Sequence, residues 1–137
     1  MMEQVLLYMA GLPTFIAYFL IGIVMMLCYT LLYNLFTPID EWQLIKQNDA
    51  AASLGFAGSI LGFVLPLAAA IHNAQSALDC VLWGVVALIV QLSAFFAVRL
   101  FLPGLPERIR NGEVAAGILL AVISISVGLL NAASMTY

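Results

Sequence analysis

Charge is what this sequence has least of. Of its 137 residues 8% are Asp, Glu, Lys or Arg and 65% are apolar, against roughly a quarter charged in ordinary soluble domains. That excludes a water-exposed domain, because there are too few charges to coat one. The four bases, set against seven acids, are also too scattered for a nucleic-acid surface or a polybasic lipid-binding patch, so nucleic acid is not an expected partner. The single histidine, His72, has no Cys, His or carboxylate at metal-ligand spacing and reads as a span-end residue. Cys28 and Cys80 fall at different depths of different apolar runs, whereas a disulfide needs Cα atoms within about 7 Å, so both read as packed thiols. A nucleophile with its base, paired intramembrane carboxylates, a phosphate-binding glycine loop and a haem-ligand pair are all missing. Neither an enzyme nor a cofactor is expected.

Long apolar runs are what the chain has instead. A membrane span takes about 20 residues at 1.5 Å of rise each, and four such runs, at about 13–36, 50–71, 78–102 and 114–133, nearly use up the length. The whole of 1–137 therefore reads as one integral membrane domain in contact with the lipid bilayer. Ahead of the first run, Gly11-Leu12-Pro13 interrupts the pattern. Residues 1–11 then form a short interfacial turn or helix, with Pro13 in the opening turn of span one, where its missing N–H costs little. The first run is preceded by no Lys or Arg, is too long for a signal-peptide core and lacks a cleavage pattern, so it is expected to be retained. Tyr29 and Tyr33 fall near its far end, where aromatic rings favour the headgroup level.

The runs are organised by a repeat. Leu35-Phe36-Thr37-Pro38 leads through a polar connection to Ile45-Lys46-Gln47-Asn48-Asp49-Ala50-Ala51, and Leu100-Phe101-Leu102-Pro103 leads likewise to Ile109-Arg110-Asn111-Gly112-Glu113-Val114-Ala115-Ala116. One hairpin is used twice, at 13–71 and 78–133. The predicted fold class is an all-α membrane protein, four transmembrane helices arranged as two tandem helical hairpins with short interfacial segments. In the first connection Thr37-Pro38-Ile39-Asp40 reads as a helix start, a hydroxyl cap followed by proline and an acid. That register puts Ile39, Trp42 and Ile45 on an apolar face, with Asp40, Glu41, Gln43 and Gln47 turned away and Trp42 as interfacial anchor. Pro103 to Arg110 is a compact turn, with a second short helix starting at Pro106. Lys46, Arg99, Arg108 and Arg110 all lie at one end, which places both connections in the cytoplasm and both termini outside.

Small residues mark a second pattern. Ala52, Gly55, Ser59, Gly62, Pro66 and Ala69 line one side of span two, and Gly58 and Gly62 add a G-x-x-x-G; Gly117, Ala121, Ser124, Gly128 and Asn131 line span four. In lipid, close backbone approach at small residues is a main source of helix association. These stripes are expected to be packing faces through which copies self-associate, while the loops 37–49 and 103–113 are offered to a cytoplasmic or membrane protein partner. Pro66 is expected to bend span two. The intramembrane polar candidates are Gln91, Arg99 and Asn131. Gln91 reads as a structural hydrogen-bonding group, and Arg99 as a side chain that snorkels to the headgroups. The alternative function is a small oligomeric channel lined by the Ser/Gly stripes, or a transporter. Against transport, both hairpins point the same way and no acid lies at mid-span.

Asn48-Asp49-Ala50-Ala51-Ala52 leading into Gly55 to Gly62, and Asn111-Gly112-Glu113-Val114-Ala115-Ala116-Gly117 leading into Ser124 to Gly128, resemble the YjfL-like family of small bacterial inner-membrane proteins, a family of unknown function. The resemblance covers nearly the whole chain after span one. It implies a multi-pass inner-membrane protein, supplies no activity, substrate or catalytic residue, and suggests an accessory role in membrane-stress response.

Overall fold

A computed structural model describes residues 1–37 and 40–135. Its described residues form helices and connections only, and four helical stretches are long and apolar enough to cross a membrane, as the predicted fold class requires. In chain order the helices are α1 (Met2–Ala10), α2 (Leu12–Phe36), α3 (Glu41–Lys46), α4 (Ala50–Asn73), α5 (Ala77–Phe101), α6 (Leu105–Arg110) and α7 (Val114–Ser134).

Local chemistry sets the helix ends. Gly11 keeps helical backbone angles between α1 and α2, and Pro13 occupies the first turn of α2. The helical stretch Met2–Phe36 is therefore about 50 Å long, more than roughly 30 Å of hydrocarbon can cover. Asp49 caps α4 by accepting the Ala52 N–H at 3.0 Å, and Ser76 caps α5 by accepting that of Asp79 at 3.2 Å. The repeat is clearest where each short helix gives way to a long one. Asn48 and Gly112 both adopt positive φ, 62° and 80°. Around them the same bonds recur: Asn48 N–H to the Ile45 carbonyl and Asp49 N–H to that of Leu44, then Gly112 to Ile109 and Glu113 to Arg108. This is the left-handed helix stop that glycine adopts freely and asparagine tolerates.

Helix α4 is the hub, touching α2, α3, α5, α6 and α7. Because both hairpins point the same way, α4 and α7 run parallel, and they meet backbone to backbone along much of their length. A Cβ on Gly58 would overlap Ala121; on Gly62, the Ser124 carbonyl; on Gly117, the Ala51 carbonyl; on Gly128, the Gly62 carbonyl. Helix α5 packs against both α4 and α7. Helix α2 lies on the flank and buries two side chains, Tyr29 and Tyr33. Tyr29 stacks on Phe63 at 4.7 Å, and Tyr33 meets Phe56 at 5.5 Å and Phe95 at 5.1 Å. Aromatic pairing inside the bundle has displaced the expected headgroup placement of these rings. Elsewhere α2 offers Phe15, Phe19, Val24, Leu27 and Leu31 outward, a surface suited to acyl chains.

Candidate functional site

The end of the bundle that carries the bases is built around α3. Asp40 caps that helix by accepting the Gln43 N–H at 3.2 Å, so the helix starts at Glu41. Thr37 belongs to the end of α2, its hydroxyl donating to the Tyr33 carbonyl at 2.6 Å. This corrects the predicted start at Thr37-Pro38; Pro38 and Ile39, the latter assigned to the apolar face, lie outside the described residues. With the later start, Glu41, Leu44 and Ile45 share the face turned to the bundle. Glu41, expected to point away, is 1% exposed, and Trp42 is 53% exposed with its ring against Phe56 at 5.6 Å.

Neither carboxylate oxygen of Glu41 has a hydrogen-bond partner. Burial, the largest influence, pushes its pKa up to about 7; the Asp40 charge adds to the rise, while the nearby Glu41 backbone N–H and Thr37 hydroxyl, neither of which completes a hydrogen bond to it, work against it. The ionisable neighbours are few. Asp40 adjoins it in the chain and Tyr33 faces it from α2, while α4 carries no ionisable side chain from Ala50 to Ile71.

Polar side chains continue inward from Glu41. Tyr33 and Tyr29 lie about 5 and 10 Å along α2 from its end. The Ser59 hydroxyl of α4 lies near both tyrosine side chains but completes no hydrogen bond to the Tyr29 hydroxyl, which is buried without a partner. Ser59 Oγ stands 3.5 Å from Ser124 Oγ of α7, and Gln91 Nε2 of α5 donates to the Ser124 carbonyl at 3.0 Å. Gln91 Oε1 is left unpartnered. A buried polar atom without a partner costs about 1–3 kcal/mol.

The predicted site residues divide into two groups. Gly55, Gly58, Ser59, Gly62, Ser124 and Gly128 come together in the α4/α7 contact, and Gln91 joins them through Ser124. Arg99, Asn131 and Trp42 stay apart. Arg99 is half-buried at the basic end, its guanidinium 5.9 Å from the Phe95 ring centre. Asn131 lies toward the opposite end of α7, and its Nδ2 is buried without a partner. The stripes are packing faces, but they meet each other within one chain. Within the chain, that contact occupies the faces expected to join copies.

Sequence reasoning gave no site role to Glu41, Tyr29, Tyr33 or Asn34, whose Oδ1 is also buried and unpartnered. The signal for Glu41 was present: Asp40-x-x-Gln43 has capping-box spacing and competes with the threonine-proline start. Among the described residues no three of His, Cys, Asp and Glu stand close enough to hold a metal.

Known proteins place this architecture. The chain is 46% identical over 127 residues to the UPF0719 inner membrane protein YjfL of Escherichia coli (strain K12), an alignment covering 93% of this chain and 96% of that one. It is 24% identical over 121 residues to the UPF0719 transmembrane protein YshE of Bacillus subtilis (strain 168), covering 87% and 90%. No solved structure matches it significantly. The family described as a Domain of Unknown Function (DUF350) matches residues 6–135. With that profile spanning the twice-used hairpin from α1 to the end of α7, the chain belongs to the DUF350 family.

Proposed function

We propose that the chain is a non-enzymatic accessory protein of the bacterial inner membrane that works through its cytoplasmic end. There α3, α6 and the loops 37–49 and 103–113 form the surface offered to a protein partner. The inner-membrane assignment rests on the YjfL relatives, and the orientation on the bases gathered at that end.

The observation that carries the proposal is Glu41, a carboxylate sealed under α3 with neither oxygen partnered. A neutral carboxyl tolerates that position and a carboxylate does not. Protonation therefore holds α3 against α4, and ionisation near neutral pH favours its release, changing the surface a partner meets. The test places single cysteines in the full chain in oriented vesicles, with Cys28 and Cys80 replaced by alanine. A probe at Gln43 should label from the cytoplasmic side only. The thiolate is the reacting form, so rates are read relative to the exposed Gln43 probe at the same pH. On that scale a probe at Leu44, half-buried on α3, should label several-fold faster at pH 8 than at pH 5.5, and Glu41→Gln should abolish that difference. A Leu44-to-Gln43 rate ratio that ignores pH counts against the switch; labelling at Gln43 from outside overturns the orientation.

The Tyr33, Tyr29, Ser59 and Gln91 series favours a second reading, proton-coupled transport, since it leads from Glu41 toward mid-membrane. Beyond Gln91 the buried lining is mainly apolar, with Phe63, Leu67, Ala70, Cys80 and Ala87. Selective solute or proton flux by the purified protein in liposomes would move the assignment to this class.

A further inference from the structure

A cavity of about 570 Å³ opens beside the last turns of α5, lined by Phe96, Arg99, Leu100, Gly104, Pro106 and Glu107. Its charged walls are one cation and one anion, and neither Arg99 nor Glu107 forms an ion pair with any described residue. Arg99 is two residues from the end of α5, about 3 Å along the axis and so at headgroup depth. Phe96 and Leu100 are exposed on the same side, where acyl chains run. The turn into α6 keeps the opening clear. Gly104 takes φ 74°, and a Cβ there would meet nothing within 4 Å, so the glycine serves the turn rather than the space. Leu105, Pro106 and Ile109 anchor α6 to the bundle, while Glu107 remains exposed.

We propose that this cavity binds a zwitterionic phospholipid carrying a primary ammonium, phosphatidylethanolamine in kind, with its phosphate on Arg99 and its ammonium on Glu107. A guanidinium offers a phosphate two parallel N–H donors, and a carboxylate accepts from an ammonium. The charge pattern discriminates among lipids. Phosphatidylglycerol would answer Arg99 but meet Glu107 with neutral hydroxyls in place of an ammonium, leaving the lipid's negative charge uncompensated beside a carboxylate; a choline headgroup has no N–H to donate to Glu107. The other hairpin supplies an internal contrast. Asn34, 65 residues earlier, stands for Arg99, and Gln43, at the 64-residue offset of the two short helices, stands for Glu107, so the charge pair belongs to the second copy alone.

The test is a lipid titration of the purified full chain in detergent, read by native mass spectrometry with phosphatidylethanolamine, phosphatidylcholine and phosphatidylglycerol of matched acyl chains. The expected preference for phosphatidylethanolamine over either competitor is at least about fivefold, the scale of one partly exposed charge-assisted bond. Glu107→Gln should erase the preference over phosphatidylcholine and raise binding of phosphatidylglycerol. Arg99→Gln should weaken all three. Glu107 is exposed, so its variant keeps the test decisive even if Arg99→Gln fails to fold. Equal binding of the three lipids by the unaltered chain, a preference for phosphatidylglycerol, or an unchanged preference in Glu107→Gln would each overturn the site.

Discussion

The two hairpins share a plan and divide the labour. Both pass from a short helix to a long one through a left-handed residue with the same pair of backbone bonds. Their flanks then diverge. Asp49 caps α4, whereas its counterpart Glu113 makes no cap and pairs with Arg108 at 3.1 Å. At the start of the short helix the first copy buries Glu41, and the second copy, 64 residues on, buries Leu105. Helix α5 lies against both α4 and α7, while its counterpart α2 touches α4 and α5 and is otherwise open to lipid. What the copies keep in common is where they meet. Because α4 and α7 run parallel, equivalent residues face each other, Gly55 against Leu120 and Ser59 against Ser124, and small side chains are required on both sides of one seam. Away from that seam the copies were free to differ, and the first took the buried carboxylate while the second took the exposed charge pair.

Breaking the shared seam should have the largest effect. In Gly62→Val the new Cβ would meet the Ser124 carbonyl and stand 2.9 Å from Gln91 Nε2. Backbone cannot yield there as a flexible side chain can, so the expected destabilisation is about 3 kcal/mol or more. Gly58→Val, against Ala121, should behave alike. Unfolding in a denaturing detergent titration measures it, and since the contact lies within one chain the loss should not depend on protein concentration. Wild-type unfolding midpoints in both variants would mean that the seam is not what holds the fold.

Making the first copy resemble the second at its buried position should have the next largest effect, and one that depends on pH. The Glu41 pKa is raised in the folded chain, so the folded state holds a proton that the unfolded state releases. The favourable contribution is full below the ordinary carboxylate range and is lost as pH rises through about 7. Over that window stability should fall by on the order of 2–3 kcal/mol. Glu41→Leu should remove the slope and leave the chain more stable than wild type at pH 8, with little difference near pH 4.5. Thermal unfolding at the two pH values checks it; a slope that survives in Glu41→Leu would place the titration on another group.

These two sites differ in how far the sequence exposed them. The spans were legible because 1.5 Å of rise and about 30 Å of hydrocarbon fix the length of an apolar run. The glycine stripes were legible too, since a row of small residues states that a backbone comes close. It does not state whose backbone, and a hairpin repeated in the same orientation meets its own copy before it meets another chain. Glu41 was hidden for a different reason. On a helix one turn and a half long, moving the start from Pro38 to Glu41 exchanges the inner and outer faces, and Thr37 and Asp40 were both acceptable caps. The polar series through Tyr33, Tyr29, Ser59 and Gln91 joins α2, α4 and α5, and only their packing sets it in line.

The smallest expected effect lies at the centre of the seam, where the two copies touch through identical side chains. Ser59 Oγ and Ser124 Oγ are 3.5 Å apart, long for a hydroxyl pair, whose usual separation is about 2.7–2.8 Å. Ser124 also takes part through its backbone carbonyl, which holds Gln91 Nε2 and survives a change of side chain. Ser59→Ala and Ser124→Ala should therefore each cost less than about 1 kcal/mol, and a double-mutant cycle should give a coupling no larger than the roughly 0.6 kcal/mol average for hydrogen bonds between membrane helices. The same cycle, measured on detergent unfolding, separates packing from conduction. If the serines are packing residues, all three variants should stay folded and the accessory reading stands untouched. A coupling well above 1 kcal/mol would mean that the pair closes into a tighter bond than its separation suggests. Altered proton flux in liposomes, with unfolding unchanged, would instead mark Ser59 and Ser124 as part of a working path and favour the transport reading over the accessory one.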